Sequence, residues 1–358
     1  MSVSILPPAV RSVRAWSAPR IAVLVGVAGA VLLLMLDAFV RDVTVPQGDD
    51  LIYERMAQDP SAPHTFPFAY RIAVPYLVHL LPFSHEASFS LLAWACSGAA
   101  GAFLYLLMER LGVARRLSIG LALLFVLSPP LLIESLRQGR NPDALTALVM
   151  CAGVYFIVAR ERIALLVTVL VGALNRESAL FLLPLAYALW TDRLWDRRLA
   201  RDVVLLGLPA VGAMVALRWA VPTAGNGYGD ADDRWRLLRQ GIEGWAVNLR
   251  RIGTVAGPMW ILAALALRDS RFARRGLVLV ALCVASFPFA GDWSRVLFVA
   301  APVVFAAGAI ALQPRRRWWL PVLLLLLLMD VGYAVYMDRS GVQTGIIDVR
   351  PSGSYPIL

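Results

Sequence analysis

The sequence predicts an all-α fold, a polytopic bundle of transmembrane helices, and three observations carry that reading. Hydrophobic residues make up 59% of the 358-residue chain, 16% is charged, and the mean hydropathy is +0.68. A soluble domain is about half apolar and about a quarter charged. Apolar runs recur from residue 21 to residue 337 without a polar stretch long enough to fold separately, so residues 1–358 read as one transmembrane domain. The basic residues, all of them Arg, fall mainly in short loops at alternate ends of those runs.

Arg11, Arg14 and Arg20 precede the first apolar run, 21–40. That run reaches the roughly 20 residues a bilayer span needs. It exceeds a signal-peptide core and no small-residue cleavage site follows, so it is read as an anchor. Further spans are expected at 88–108, 117–133, 142–159, 163–174, 177–190, 203–221, 252–267, 276–290, 296–312 and 318–337, about eleven in all.

Arg-rich loops sit on the cytoplasmic side of membrane proteins. With the N-terminus inside, the six segments 1–20, 109–116, 160–162, 191–202, 268–275 and 313–317 carry 19 Arg against 6 acids. The opposite loops carry 14 Arg against 16 acids, and the C-terminus falls on that extracytoplasmic side. The formal charge of +10 is therefore a topology signal. It gives no reason to expect a nucleic-acid partner; the partner it implies is the lipid bilayer.

Arg160 and Arg162 lie on the same side as the Arg-rich run 191–202, so the stretch between them must cross outward and return. Each arm is about a dozen residues, or roughly 20 Å at 1.5 Å per residue. Asn175, Arg176 and Glu177 at the tip are thus expected to lie below the outer surface. Charges at that depth are costly unless paired or facing a wet cavity. Residues 71–82 are too short to cross and are expected to form an interfacial helix on the outer face. A second is expected at 234–251, where Trp235, Leu238, Ile242, Trp245 and Leu249 repeat at helical spacing beside several Arg.

Four outward segments hold the polar residues with chemical potential. The first outer loop places Asp49 beside Asp50; the second holds Glu134, Arg137, Arg140 and Asp143. The third is the Asn175–Arg176–Glu177 tip, and the fourth is a short turn with Asp292 and Arg295. Short loops keep these groups near the helix ends, so they are expected to share one pocket. A carboxylate beside several guanidiniums suits deprotonation of a hydroxyl together with stabilisation of a phosphate leaving group. Arg fits the second role because it stays charged and binds two oxygens at once.

Plainer readings stand beside these. Asp49 and Asp50 also suit a helix N-cap, and Asp143 follows Pro142 where a helix dipole favours a carboxylate. Arg176 could pair with Glu177, and Arg295 with Asp292. The spacing of Asp230 and Asp232 could hold a divalent metal, although a solvated acidic turn explains it adequately. No cofactor is otherwise indicated. Cys96, Cys151 and Cys283 fall in apolar runs without metal-ligand spacing, and His64, His79 and His85 show none either.

An outer-loop acid, Tyr53, Met56, the string PFAYRIAVPYL at 67–77, then RNPDAL and ALNRESALFLLP together resemble bacterial membrane proteins of the GT-C glycosyltransferase superfamily. The resemblance implies transfer of a sugar from a polyprenyl-phosphate carrier to an acceptor outside the cytoplasm, at the plasma (inner) membrane. It implies that Asp50, or its neighbour Asp49, is the catalytic base. Arg71, Arg140, Arg176 and Arg295 would serve the donor phosphate, with Glu177 orienting one of them. Arg137, Asp143, Asn175 and Asp292 complete the expected substrate pocket. The acceptor would be a cell-envelope glycan, lipid or protein. A transporter or lipid flippase, or a non-catalytic subunit of a membrane complex, is the competing reading.

Overall fold

The computed structural model describes residues 18–39, 49–132, 140–193, 195–221, 223–226, 231–290 and 293–340. They are helical almost throughout. The first half runs α1 (Ala18–Phe39), α2 (Asp49–Gln58), α3 (Ala73–Leu80), α4 (His85–Arg110), α5 (Arg115–Val126), α6 (Pro129–Leu132), α7 (Asp143–Ala159) and α8 (Arg162–Ala173). The second runs α9 (Leu182–Trp190), α10 (Arg197–Ala220), α11 (Ala231–Glu243), α12 (Trp245–Ala256), α13 (Met259–Ala266), α14 (Arg271–Ala285), α15 (Trp293–Phe298), α16 (Ala301–Leu312) and α17 (Trp319–Ser340). One short parallel pairing, β1 (His64–Phe66) with β2 (Thr223–Asn226), departs from the all-α expectation.

Among the described residues, five helices are long and apolar enough to cross a membrane: Ala18–Ala38, His85–Arg110, Arg197–Ala220, Arg271–Phe289 and Arg316–Ala334. Their outward faces are apolar, with Leu24 67% and Leu328 69% exposed and Val23, Leu208 and Leu320 exposed alike. Water would penalise apolar surface on this scale, whereas lipid would not. The remaining expected spans are shorter. Asp143–Ala159, Arg162–Ala173, Glu177–Trp190 and Ala301–Leu312 are apolar helices of 10–17 residues, so five of the expected crossings have full length among the described residues.

Several expected helices are broken where the chain chemistry forbids continuation. The run 117–133 stops at Val126 because Pro129 and Pro130 lie just ahead. The run 252–267 is split at Gly257, whose φ of 49° is followed by Pro258. The amphipathic stretch 234–251 is likewise two helices separated at Gly244, and α12 buries Val255 and Ala256 in the core. The run 296–312 divides into α15 and α16 at Val299 and Ala300.

Tertiary contacts sort the helix ends into two layers. α1 and α4 cross antiparallel, with Gly26 against Gly98 and Ala102, and Gly98 against Ala30. Phe103 of α4 meets Tyr155 and Phe156 of α7 at 5.8 and 5.5 Å between centroids. Trp190 Nε1 donates to Ile157 O at 2.8 Å, and Arg271 pairs with Asp192. Ala114 N donates to Gln313 Oε1 at 2.8 Å. The Arg-rich segments 109–116, 160–162, 191–202, 268–275 and 313–317 therefore share one end with the start of α1. Reporters inserted after Ser340 and at the 174–176 tip should read on one face of the membrane, and a reporter between residues 191 and 196 on the other; three matching readings would refute this layering.

Close helix approach depends on glycine at the α1–α4 crossing. A Cβ on Gly98 would stand 2.4 Å from the Gly26 carbonyl oxygen, which is backbone and cannot rotate away. Small residues permit such contact between membrane helices. Gly98→Ala should force the helices apart at a cost of about 1–3 kcal/mol, read as a lowered unfolding midpoint in detergent. An unchanged midpoint would mean that the crossing is looser than described.

Candidate functional site

At the end opposite the Arg-rich segments, four elements bring polar side chains together. Pro142, at the N-cap position of α7 with φ −76°, sets the turn from which Asp143 opens the helix. Asp143 is almost enclosed, its side chain 6% exposed. Arg176 Nη1 donates to its Oδ1 at 2.5 Å, and Arg295 Nε donates to its Oδ2 at 2.7 Å. Each carboxylate oxygen thus holds one guanidinium. The position at the helix N-terminus adds a favourable dipole, but the two guanidiniums are the dominant partners.

The tip between α8 and α9 is locked to α7. Asn175 Nδ2 donates to Pro142 O at 3.1 Å and to Thr146 Oγ1 at 3.0 Å. Ala73 N, at the start of α3, donates to Leu174 O at 3.1 Å, so the segment after Arg71 lies against the tip. Asn175 is 1% exposed. The expected pair within the tip is not made. Arg176 turns to Asp143, while Glu177 Oε2 lies 3.7 Å from Arg71 Nη2.

α2 closes the cluster with one face. Asp50, Tyr53, Glu54 and Ala57 stand at helical spacing, so they share a side of α2. Asp50 is 4% exposed. Tyr53 Oη accepts from Arg71 Nη1 at 3.2 Å, and Glu54 Oε2 accepts from Arg140 Nη1 at 3.1 Å. The Arg71 guanidinium also lies over the Phe68 ring, 5.4 Å from its centroid. α2 is fastened at its far end, where His79 Nδ1 donates to Ala57 O at 2.9 Å and Tyr76 Oη to Pro60 O at 3.0 Å. The histidines in this region thus serve the scaffold.

Six expected residues therefore join one network: Arg71, Arg140, Asp143, Arg176, Glu177 and Arg295, with Asn175 beneath and Asp50 on the facing helix. Asp49 is the first residue of α2, with its side chain outside the described set. Arg137, Asp292 and Glu134 lie outside the described residues, as does Asp230. Among the described residues, no group of three or more His, Cys, Asp or Glu converges to hold a metal ion. The three cysteines are buried and unpaired with one another.

Glu54 and Thr146 belong to the cluster without being named in the sequence analysis, while Tyr53 and Asn141 entered it only as part of the resemblance and with no role. For Tyr53 and Glu54 a signal existed: they follow Asp50 by three and four residues, one helical turn. Asn141 is 3% exposed, and neither its Oδ1 nor its Nδ2 has a hydrogen-bond partner among the described residues. Beside the cluster, α11 sets Gly241 against Trp293, which stacks on Phe287 at 4.6 Å and 4°. Trp235, Ile242 and Trp245 are exposed on the neighbouring surface.

Every guanidinium in the network has an acidic partner, yet Arg71, Arg140 and Arg176 keep N–H groups beyond those bonds, since a guanidinium carries five donors. The arrangement can therefore bind further oxyanion oxygens without first losing its internal pairs. Compared with known proteins, the chain matches no family model and no curated protein.

Proposed function

We propose that the protein is an integral membrane glycosyltransferase of the GT-C type that moves a sugar from a polyprenyl-phosphate donor to an acceptor hydroxyl outside the cytoplasm. The single observation that carries the reading is the convergence of Arg71, Arg140, Arg176 and Arg295 beneath a helix that buries Asp50. This happens at the end of the bundle away from the Arg-rich loops. The shorter apolar helices would complete the crossings, giving about eleven passes, with α3 and α11 lying at the outer interface. The membrane would be the bacterial inner membrane.

In this reading Asp50 accepts the proton of the acceptor hydroxyl as its oxygen attacks the anomeric carbon. The bond from that carbon to the carrier phosphate breaks, and the phosphate leaves with the electron pair. N–H groups of Arg176, Arg295 and Arg71 receive the charge that develops on the phosphate oxygens, a charge-assisted contact stronger than a neutral one. Asp143 holds two of these guanidiniums, and Glu177 the third. A single displacement inverts the anomeric configuration. The carrier chain would lie along the apolar surface of α11, next to Trp293.

The full pairing of acids and guanidiniums favours one alternative, a non-catalytic subunit in which the network is only a brace. The deciding assay supplies purified protein with polyprenyl-phosphate sugars and candidate glycan, lipid or protein acceptors. Product that depends on the Asp50 carboxylate supports the enzyme. Solute or lipid movement across vesicles without any sugar transfer would replace it by a transporter.

A further inference from the structure

A cavity of about 880 Å³ lies away from the polar cluster. It is a lateral groove between α9, α10 and α14 near the Arg-rich end. Its upper limit is fixed where Leu183 of α9 seats against Gly207 of α10, a contact a Cβ at Gly207 would block at 2.4 Å. Below that point the walls are apolar, with Pro184, Val203, Val204 and Val278 among them. From Leu183 to Thr191 the groove follows nine residues of chain, or roughly 12 Å at helical rise. A dry apolar slot open along its side to the surroundings of a membrane helix will be filled by lipid.

The rim gives the occupant its charge. Arg193 and Arg275 line the mouth. Arg275 Nη1 donates to Ala188 O at 2.8 Å and to Thr191 O, which holds the end of α9. Its other nitrogens have no partner among the described residues. The Arg193 guanidinium has none either, because Asp192 beside it is taken by Arg271. Two guanidiniums with free donors over an apolar slot complement a phosphodiester bearing acyl chains.

We propose that this groove is a binding site for an anionic phospholipid, its phosphate on Arg193 and Arg275 and one acyl chain along α9 toward Leu183. The site is separate from the sugar-transfer reading and stands whether or not that reading does. It makes the lipid a structural part of the α9–α10–α14 corner, wedged beside the helix pair that carries the 175–177 tip.

The test uses the full chain, purified in detergent, with phosphatidylglycerol or phosphatidylcholine added. Phosphatidylglycerol should raise the unfolding temperature and be retained in native mass spectra at least fivefold over phosphatidylcholine. Arg193→Gln should abolish that preference while leaving the unfolding temperature in detergent alone unchanged, since the side chain braces nothing. Ala200→Trp, which fills the groove from α10, should remove retention of both lipids. Equal retention of the two lipids by the wild type would overturn the proposal. So would full preference in Arg193→Gln, or reproduction of the stabilisation by inorganic phosphate alone.

Discussion

Asp143→Asn should produce the largest loss of stability of any single substitution in the polar cluster, about 3–5 kcal/mol, the usual cost of removing one partner from a buried ion pair. The carboxylate is 6% exposed and its two oxygens are divided between Arg176 and Arg295. Asparagine keeps the shape but leaves two guanidiniums facing each other over a neutral amide in a poorly hydrated site. Adding Arg176→Gln to Asp143→Asn should restore part of the loss, with a coupling of about 0.5–3 kcal/mol in a double-mutant cycle. Denaturant unfolding in micelles reads both numbers. A loss below about 1 kcal/mol with no coupling would show that solvent already screens the pair.

Asp50→Asn should lower sugar transfer by about 10²- to 10⁴-fold, the range for loss of a general base, with an unfolding midpoint close to that of the wild type. The two outcomes together are informative because the amide is isosteric with the carboxylate. Asp49→Asn, one residue away, should retain most activity. If both variants transfer sugar at the wild-type rate, Asp50 is not the base and the cluster is a brace. If Asp49→Asn alone is inactive, the neighbouring carboxylate has the role.

The polar cluster was partly legible in the sequence. Outer loops that are short and tied to helix ends have little freedom, so Arg140, Asp143, the 175–177 tip and Arg295 were expected to meet. Their pairing was not legible. Arg176 sits in extended backbone, φ −162° and ψ 137°, so its side chain and that of Glu177 project to opposite sides. The neighbour in sequence is therefore out of reach, and Arg176 finds Asp143 while Glu177 finds Arg71. The same limit explains Tyr53 and Glu54, which matter only because α2 lays one face on residues far along the chain.

Helix continuity was over-read for the opposite reason. Apolar composition fixes where lipid can be the solvent, but Gly244, Gly257 and Pro129 decide where the backbone can stay helical. The expected interfacial helix at 234–251 and span at 252–267 are therefore three shorter helices, divided at Gly244 and Gly257.

Composition and loop charge by themselves determined that the chain is helical, meets lipid, and sorts its Arg-rich segments to one end. These properties sum over many residues and depend on solvent and helical period, which local sequence carries. Only the tertiary structure decided which acid holds which guanidinium, which helices break, and where an open groove is left. Those outcomes turn on a few ångströms between residues distant in the chain, a distance that no local pattern encodes.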